Sequence, residues 1–328
     1  MTNGLRVGVI GASGIGQHHA RWHALSGNNV VAFVGRSDAS VARTRTRLTE
    51  YFGFSGTGYT SVSEMLDQAR PEVVVVSSPY SAHKSHALEA LSVGAHLLCE
   101  KPLVWDEHHS LDQILNDGRD VVKAVKSSGH LFCMTAQYPA CLPMYRTLYE
   151  RVRGSFDAVE SIHMEMEVRR RGDRKLYEAN WIDVASHPLS LVIALLGQGR
   201  IVPDTAHCTV EEAECKASFA YEGELGSGHA SFTIRDIVDG APMRRFGVND
   251  FLVDWDGFAD EDGIYRASLS HGDQTVSGDD FLHTLIQSFS ASVAEGRTDV
   301  AAGPDAALLN LEMQVELLRL ARTGAEAA

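Results

Sequence analysis

Residues 5–16 read LRVGVIGASGIG, an apolar run that leads directly into a glycine-rich loop. The apolar run predicts a strand over residues 5–10, and the pattern of residues 14–25 predicts a helix that stops near Gly27. A strand, a glycine-rich turn and a helix in this order are the start of a βαβ unit. The N-terminal part of the chain is therefore expected to build a parallel sheet.

The glycine-rich loop matches most of the dinucleotide-binding fingerprint. In that fingerprint, three glycines make a tight turn, admit a pyrophosphate close to the backbone and let the helix pack closely on the strand. Gly11 and Gly16 occupy the first and third positions, whereas Ser13 stands at the second, with Gly14 beside it. An ordinary strand–helix turn is the alternative interpretation. The loop residues expected to contact the cofactor are Gly11, Ala12, Ser13, Gly14, Ile15 and Gly16.

Strands and helices alternate through the rest of the N-terminal part. The four consecutive valines of residues 73–76 have the composition of a strand buried on both faces of a parallel sheet. Strands are predicted at residues 30–34, 72–77 and 95–99, and helices at residues 38–51 and 82–93. This alternation predicts an α/β Rossmann domain with a doubly wound parallel sheet over residues 1–128.

The end of the second predicted strand indicates which nicotinamide dinucleotide the domain prefers. An acidic residue there binds the ribose 2′-hydroxyl, whereas an arginine accommodates a 2′-phosphate. Gly35 stands where the acid is expected, and Arg36 and Ser37 follow with a guanidinium and a hydroxyl that suit a phosphate. Asp38, the nearest acid, is expected to cap the next helix. NADP is therefore favoured over NAD, with a solvated loop charge as the alternative interpretation of Arg36.

The C-terminal part has the pattern of an antiparallel sheet. Apolar residues alternate with His163, Glu165 and Glu167 over residues 162–168, which indicates a strand with one wet face. Further strands are predicted at residues 213–221, 228–237, 244–254 and 264–271, and closing helices at residues 280–295 and 305–322 with stops at Gly296 and Gly324. Consecutive strands without helices between them predict an α+β domain over residues 129–328. We expect its C-terminal helix to pack back on the first domain.

The composition excludes several classes of protein. A net charge of −14 with neutral histidines disfavours a nucleic-acid backbone as the main partner. No run approaches about 18 consecutive apolar residues and the N-terminus lacks a signal pattern, so neither a membrane protein nor a secreted one is expected. The five cysteines contain no CxxC pair, which is typical of a reducing compartment. We expect a cytoplasmic protein whose partner is a small molecule.

Three further segments carry side chains suited to catalysis. SPYSAH at residues 78–83 and EKP at residues 100–102 each follow a predicted parallel strand, at the sheet edge where α/β domains bind ligands. WIDVASHP at residues 181–188 leads into an apolar helix. Together with the glycine-rich loop, these segments resemble, in order and spacing, those of the Gfo/Idh/MocA oxidoreductase family, the glucose–fructose oxidoreductase and inositol dehydrogenase relatives. The resemblance covers nearly the whole chain.

The resemblance implies a Rossmann domain followed by a domain with a large, open, mostly antiparallel sheet, whose face often forms homodimer or homotetramer contacts. It also implies hydride transfer between a nicotinamide and a carbinol carbon of a sugar or cyclitol. By resemblance, Lys101 hydrogen-bonds the reacting oxygen and Glu100 helps to hold the nicotinamide ribose. His187 is the acid/base, and Asp183 binds substrate or orients the imidazole. The other residues that it implies are Ser78, Pro79 and His83 as cofactor contacts and Gln137 as a substrate contact, with Tyr138 beside it at the start of the second domain.

Elementary chemistry supports the same catalytic roles. Removing a hydride from an alcohol carbon requires removal of the hydroxyl proton, and histidine is the side chain most easily poised as that base. Pro188 is tolerated only in the first turn of a helix, so His187 is expected near a helix N-terminus, where the dipole favours neutral imidazole. The charge of Lys101 suits a developing alkoxide. The alternatives are a surface lysine, a helix-capping Asp183 and a core histidine.

Three features leave the substrate open. Trp181 stands where the family often has small glycines, and Ser190 replaces an acid that is frequent there. Both are expected to alter the substrate pocket, which puts a standard sugar substrate in doubt. The basic run of residues 169–175 has two interpretations, a solvated turn and a site for an anionic substrate group.

The chain contains 15 histidines, which raises the question of a metal site. His19 and His23 share a face of the first predicted helix, but no third ligand has a recognisable spacing. We therefore interpret them, with His18, as helix-surface histidines and expect no metal.

The function expected from the sequence is an NADP-preferring oxidoreductase acting on a secondary alcohol or ketone of a sugar-like or cyclitol molecule. Two alternatives remain open. A non-catalytic dinucleotide-sensing regulatory protein would use the same fold but would need no base. An imine reductase would act on a nitrogenous substrate and would need an acid more than a base.

Overall fold

The computed structural model describes residues 4–169 and 178–326. The described residues form two compact units, the first within Met1–Ala136 and Leu282–Leu308, and the second within Gln137–Phe281 and Leu309–Ala328. Residues 170–175 of the basic run lie outside the described residues, so both interpretations of that run remain untested.

Strands and helices are numbered separately in chain order. The strands are β1 (Arg6–Ile10), β2 (Asn29–Val34), β3 (Thr57–Tyr59), β4 (Val73–Val76), β5 (His96–Cys99), β6 (Phe132–Met134), β7 (Ser161–Arg169), β8 (Gly199–Ile201), β9 (His207–Val210), β10 (Glu214–Gly223), β11 (Gly226–Ile237), β12 (Arg244–Val248), β13 (Phe251–Ala259), β14 (Tyr265–His271) and β15 (Gln274–Asp279). The helices are α1 (Ile15–Leu25), α2 (Asp38–Phe52), α3 (Val62–Ala69), α4 (His83–Ser92), α5 (Leu111–Ser128), α6 (Leu142–Arg153), α7 (Ala179–Val184), α8 (Ser186–Leu196), α9 (Phe281–Glu295) and α10 (Pro304–Glu326).

The first unit contains a parallel sheet with the strand order β3-β2-β1-β4-β5-β6. The four valines of β4 are completely buried, as expected for a central strand covered on both faces. From β1 the chain proceeds outward on one side through β2 and β3, and on the other side through β4, β5 and β6. The strand order therefore reverses beside β1, at the switch point where doubly wound sheets bind ligands. The predicted Rossmann fold is confirmed.

The sequence pattern does not predict β3, β6, α3 or α5 of this unit. β3 and β6 are three residues long, which is too short for a hydrophobic period to be visible. β6 belongs to the parallel sheet and lies beyond the boundary that the sequence suggests at residue 129. The described first unit accordingly continues to Ala136.

The second unit contains a nine-stranded sheet with the order β15-β14-β13-β12-β7-β11-β10-β8, in which β9 also pairs with β10. The described strand pairs are antiparallel except for β7 and β11, which are parallel. Ile162, Met164 and Met166 of β7 are buried on one face, here called the inner face. His163 and Glu165 are half-buried on the opposite, outer face. The predicted α+β unit with a large, mostly antiparallel sheet is confirmed.

The prediction of a single strand over residues 244–254 is wrong, because these residues form the hairpin of β12 and β13. Asn249 occupies the turn with φ +53°, and Asp250 follows it. Asparagine tolerates this left-handed conformation, and its Oδ1 here accepts the backbone N–H groups of Glu160 and Ser161 at 2.9 and 3.1 Å. Asparagine and aspartate are common turn residues, so the pair Asn249-Asp250 is the signal for a hairpin at this position.

The closing helices differ from prediction at the end of the chain. α9 ends before Gly296, as predicted, but α10 continues through Gly324 to Glu326. Residues 309–326 of α10, which the sequence analysis expects to pack on the first domain, belong to the second unit. None of the helices in the described part of the chain combines the length and the apolarity that a membrane span requires.

Candidate functional site

The glycine-rich loop of the first unit has two positions that only glycine can occupy. Gly11 has φ +89°, and a Cβ there would lie 2.6 Å from the carbonyl oxygen of Ser77. A Cβ on Gly16 would lie 2.2 Å from the carbonyl oxygen of Gly11. The loop therefore packs directly on the segment that follows β4, and α1 packs directly on the loop. This close packing is what the first and third glycines of the fingerprint permit.

α1 begins at an exposed end that no side chain caps. Gly14 precedes the helix with φ +62°, and a Cβ on Gly14 would meet nothing within 4 Å. Ser13 and Ile15 are exposed, whereas Ala12 is buried. The N–H groups of an uncapped first turn and the positive end of the helix dipole attract anions. The loop therefore fits the pyrophosphate of a dinucleotide, with a serine in place of the second glycine.

The end of β2 carries the residues predicted to select the cofactor. Arg36 is exposed and pairs with no carboxylate among the described residues. Gly35 is packed against α2, because a Cβ there would lie 3.0 Å from Oγ of Ser40. Oγ of Ser37 accepts the N–H of Ser40 at 3.4 Å, and Oγ of Ser40 accepts the N–H of Ser37 at 2.9 Å. Ser37 is thus the cap of α2, and the capping role predicted for Asp38 is wrong.

His83 connects the loops that follow β4 and β5. Its Nδ1 lies 3.0 Å from the carbonyl oxygen of Pro102, and its Nε2 lies 3.0 Å from the carbonyl oxygen of Ser78. Burial lowers the pKa of His83, and the neutral ring has one N–H to donate to one of these two carbonyl oxygens. Oγ of Ser78 hydrogen-bonds Nδ1 of His86 at 2.9 Å, and Pro79 precedes a single 3₁₀ turn. Because both ring nitrogens face backbone carbonyls, His83 holds the two loops rather than offering a nitrogen to a ligand.

A buried pair of side chains lies where β5 ends. Nε2 of His19 is 2.7 Å from Oε1 of Glu100, and both residues are buried. The backbone N–H of Lys101 donates to Oε2 of Glu100 at 3.2 Å. Burial alone would raise the pKa of Glu100, but hydrogen bonding and charge interaction with His19, together with the charge of Lys101, lower it below its ordinary value. Glu100 is therefore a carboxylate held in one orientation directly before Lys101.

Sequence reasoning missed His19. The prediction that His19 and His23 lie on a helix surface is wrong, since both are completely buried. The buried residues of α1 include Gly16, His19, Ala20 and His23, at spacings of three and four residues, which is the inner stripe of a helix. This spacing in the sequence is the signal that could have placed His19 and His23 in the interior. Within the described residues, no group of three or more His, Cys, Asp or Glu side chains is arranged to hold a metal ion.

In the second unit, His187 lies in the first turn of α8, where Pro188 predicts it. Asp183 lies inside α7, and the position before α8 is taken by Ala185, so Asp183 does not cap α8. Both His187 and Asp183 are half-buried. Oγ of Ser190 donates to the carbonyl oxygen of His187 at 2.7 Å. The imidazole therefore belongs to the N-terminal turn of α8, as predicted.

Trp181 belongs to the core of the second unit. It is completely buried, and its Nε1 donates to the carbonyl oxygen of Gln314 at 3.0 Å. Nε2 of Gln314 donates in turn to the carbonyl oxygens of Trp181 and Ile182, each at 3.0 Å. Nδ2 of Asn310 donates to the carbonyl oxygen of Ser186 at 2.9 Å. α10 thus holds the α7–α8 segment in place.

An aromatic cluster lies beside His187. The ring centre of Tyr138 is 5.4 Å from that of His187, with the planes tilted by 57°. The other rings around Tyr138 are those of Phe246, Trp255 and Phe281. Gln137, which the sequence indicates as a substrate contact, is the half-buried residue before Tyr138. The sequence indicates Gln137 and Tyr138 together, and the ring of Tyr138 is the one that lies against the imidazole of His187.

The predicted site residues fall into two groups, one in each unit. In the first unit, the glycine-rich loop, the segment after β4 and the EKP segment follow the neighbouring strands β1, β4 and β5, so they share one edge of the sheet. Arg36 follows β2, the strand on the other side of β1. In the second unit, the segment around Asp183 and His187 lies beside Tyr138. The first group fits a dinucleotide, and the second carries a histidine suited to proton transfer.

A known family model matches the N-terminal part of the chain. The Gfo/Idh/MocA model, described as an oxidoreductase family with an NAD-binding Rossmann fold, matches residues 5–135. The chain is 37% identical over 98 residues to glucose-6-phosphate 3-dehydrogenase of Bacillus subtilis (strain 168), which is 30% of this chain and 26% of that protein. It is 36% identical over 197 residues to inositol 2-dehydrogenase of Burkholderia ambifaria (strain MC40-6), which is 59% of this chain and 55% of that protein. The chain thus spans between about a quarter and just over half of these curated relatives.

Solved structures resemble the chain over nearly its whole length. A probable dehydrogenase from Thermotoga maritima has a TM-score of 0.74 at 14% identity and covers 98% of this chain and 97% of its own. UDP-N-acetylglucosamine 3-dehydrogenase from Acidithiobacillus ferrooxidans has a TM-score of 0.69 at 18% identity and covers 98% of both chains. At such identities the likeness shows the fold alone. Residues 5–135 of the chain thus match the Gfo/Idh/MocA oxidoreductase family through an NAD-binding Rossmann fold.

Proposed function

We propose that the protein is an NADP(H)-preferring oxidoreductase that interconverts a secondary alcohol and a ketone on a sugar-like or cyclitol small molecule. The observation that carries this proposal is the position of Lys101, directly after the buried Glu100–His19 pair and at the same sheet edge as the glycine-rich loop. A cation at that edge suits chemistry beside a bound dinucleotide. Relatives named glucose-6-phosphate 3-dehydrogenase and inositol 2-dehydrogenase support a polyhydroxylated substrate.

The proposed roles divide the reaction among three side chains. The nicotinamide, when bound, supplies the hydride donor or acceptor. Lys101 stabilises the negative charge that develops on the reacting oxygen, because its ammonium group brings three donors and a positive charge. His187 accepts the hydroxyl proton, which its place in the first turn of α8 favours. Asp183 binds a substrate hydroxyl or orients the imidazole, and Gln137 is a further substrate contact.

The preference for NADP rests on the end of β2. The guanidinium of Arg36 is exposed and has no carboxylate partner in the described part of the chain. Ser37 accepts a hydrogen bond on its hydroxyl oxygen and keeps the hydroxyl proton to donate to a phosphate. The cofactor-binding residues that we propose are Gly11, Ala12, Ser13, Gly14, Ile15, Gly16, Arg36, Ser37, Ser78, Pro79, Glu100 and Lys101, with His83 acting through the loops that it holds.

We also propose a cytoplasmic homodimer or homotetramer that assembles through the outer face of the nine-stranded sheet. An open cleft on the second unit's sheet is lined by outer-face side chains that include His163, Ser231 and Thr233. The five cysteines are free thiols, which suits a reducing compartment.

The first test is a titration of the purified protein with NADPH and, separately, with NADH, followed by nicotinamide fluorescence. We expect both to bind and NADPH to bind more tightly. Tighter binding of NADH would make NAD(H) the preferred cofactor and would leave the proposed oxidoreductase activity in place. Binding of neither would overturn the proposal, because the glycine-rich loop would then hold no dinucleotide.

The second test is Lys101→Ala, assayed with NADP⁺ and a panel of polyols. We expect kcat to fall by about 100- to 1,000-fold, as for the loss of one group that stabilises an oxyanion, while NADPH affinity stays within a few-fold. Lys126→Ala, at an exposed lysine of the same unit, is the matched control. Full turnover by Lys101→Ala would remove this lysine from the reaction. A wild-type protein that binds NADPH but turns over neither polyols, keto-sugars nor imines would favour the dinucleotide-sensing alternative.

A further inference from the structure

An arginine lies on the inner face of the nine-stranded sheet. Arg244 stands opposite Met166 of β7, whose side chain is buried on that face, whereas the next residue, Arg245, stands opposite Glu165 on the outer face. Successive residues of a strand point to opposite faces, so the two arginines have different surroundings. Nε of Arg245 donates to Oδ1 of Asp254 at 2.7 Å. Arg245 therefore has a carboxylate partner on the outer face, whereas Arg244 lies on the buried inner face.

Arg244 has no carboxylate partner among the residues that the structure describes. Its guanidinium carbon lies 4.3 Å from the ring centre of Trp255, and the residue is half-buried. The chain has 43 acidic residues, yet none of those in the described part of the chain pairs with Arg244. Desolvating a cation is unfavourable, and stacking on an aromatic ring offsets only part of that penalty. An unpaired, half-buried guanidinium is suited to meet the negative charge of a ligand.

Two buried donors beside Arg244 also lack acceptors. The hydroxyl of Tyr138 and Nε1 of Trp255 make no hydrogen bond within residues 4–169 and 178–326. Tyr138 is completely buried, Trp255 is 5% exposed, and their rings meet edge to face with centres 5.7 Å apart. Burial raises the pKa of Tyr138, so its hydroxyl keeps its proton and acts as a donor. Buried donors without partners are rare in folded proteins, so a ligand oxygen or an ordered water must supply the acceptor.

We propose that Arg244, Tyr138 and Trp255 form a subsite for an anionic oxyacid group, a carboxylate or a phosphate, carried by the polyhydroxylated substrate. Carboxylate and phosphate oxygens accept hydrogen bonds, and the guanidinium and the indole only donate them. A neutral sugar hydroxyl carries a proton of its own, and neither the guanidinium of Arg244 nor the indole of Trp255 can accept that proton in a hydrogen bond. The inference rests on the proposed function, because the contact of Tyr138 with His187 is what places the subsite beside the proposed acid/base.

Calorimetric titration of the wild-type protein with D-glucuronate, D-glucose 6-phosphate and D-glucose tests the subsite. We expect at least one of the two anions to bind about tenfold or more tightly than D-glucose, and the tighter anion identifies the group as carboxylate or phosphate. Equal binding of all three compounds, or binding of none, would overturn the subsite. A separate NADPH titration keeps the two proposals apart. Anion preference without NADPH binding contradicts the oxidoreductase, whereas NADPH binding without anion preference contradicts the subsite alone.

Single substitutions test whether Arg244 and Tyr138 give the protein its preference for the anions over D-glucose. We expect Arg244→Gln to abolish it and Arg245→Gln, which changes the outer-face neighbour, to retain it. Tyr138→Phe removes only a hydroxyl, and we expect it to weaken binding of the anion about threefold or more while the protein stays folded by circular dichroism. Anion binding by Arg244→Gln equal to that of wild type would refute the subsite. Unchanged anion affinity in Tyr138→Phe would mean that water alone satisfies the hydroxyl, against the proposed role of Tyr138.

Discussion

His19 and Glu100 are 81 positions apart in the chain and meet in the interior of the first unit. A buried carboxylate is unfavourable unless hydrogen bonds and an opposite charge compensate for its lost hydration. His19 supplies that compensation on one oxygen, and the backbone of Lys101 supplies it on the other. The orientation of Glu100, which precedes the proposed catalytic Lys101, therefore depends on His19. His19 belongs to α1, the helix that follows the glycine-rich loop.

His19→Ala should destabilise the protein by about 3 kcal/mol, because it leaves the carboxylate of Glu100 buried with one partner fewer. The lowered pKa of Glu100 means that the carboxylate contributes stability above its unfolded-state pKa of about 4.3, and this stability is lost as pH falls through its folded-state pKa. Without His19 the folded-state pKa rises, so acid unfolding followed by circular dichroism should begin at a higher pH. His18→Ala, at the neighbouring part-buried position, is the control, and equal shifts in both variants would contradict the role of His19.

Arg36→Ala should weaken NADPH binding by about 10- to 100-fold and leave NADH binding unchanged, because only NADPH carries the 2′-phosphate. The ratio of the two dissociation constants, measured by nicotinamide fluorescence, reports this change. Arg47→Ala, at another exposed arginine of the same unit, should retain the ratio of the wild type. An unchanged ratio in Arg36→Ala would show that this arginine does not contact the 2′-phosphate.

At the scale of secondary-structure elements, the packing of α1 against the glycine-rich loop decides whether the phosphate site exists. A Cβ on Gly16 would lie 2.2 Å from the carbonyl oxygen of Gly11 and 2.5 Å from Oγ of Ser77. One of these contacts is to backbone, so it cannot be relieved by rotating a side chain. α1 would have to move away from the loop, and its N-terminal N–H groups would move with it.

Gly16→Ala should therefore abolish NADPH binding and lower stability by about 1–3 kcal/mol, as overpacking does in a core. Gly324→Ala is a matched control, since this helical glycine of α10 is exposed and its Cβ would meet nothing within 4 Å. It should leave NADPH binding intact and leave stability unchanged or raise it by up to about 1 kcal/mol. NADPH affinity of Gly16→Ala equal to that of wild type would show that this loop does not hold the pyrophosphate.

Local patterns predict the elements whose signal lies within a few residues. β1, its loop and α1 are predicted to within a residue because an apolar run, three glycines and a helical period follow one another directly. The β12–β13 hairpin is not predicted, because Asn249 makes the turn with bonds to β7, about 90 residues away in the chain. The contacts of His19 with Glu100 and of Tyr138 with His187 are also nonlocal, and only the tertiary fold creates them.

At the scale of the whole molecule, the predicted roles are carried by separate parts of one chain. The residues that fit a dinucleotide belong to the first unit, and the histidine suited to proton transfer belongs to the second. Each of these groups is held by contacts within its own unit, such as His19 with Glu100 and Gln314 with Trp181. Substitutions of Asp183 or His187 should consequently alter kcat or substrate binding while NADPH affinity stays close to that of the wild type.

Assembly through the outer face of the nine-stranded sheet is the remaining prediction at this scale. Most soluble oligomers are symmetric and use one surface patch on each copy, so a single substitution on that patch acts on both sides of the contact. Thr233 lines the cleft on the outer face and stands opposite Glu165 in register. Thr233→Arg adds a long cationic side chain to each copy of the patch, where the cations of two subunits would meet and repel each other.

Sedimentation equilibrium should accordingly give a dimer or tetramer for the wild type and a shift toward monomer for Thr233→Arg. NADPH affinity should stay the same in the variant, because the glycine-rich loop belongs to the other unit. Unchanged NADPH affinity also separates loss of assembly from loss of folding in the first unit, and circular dichroism reports the folding of the sheet. A monomeric wild type would exclude assembly, and an oligomeric Thr233→Arg would place the contact on another surface.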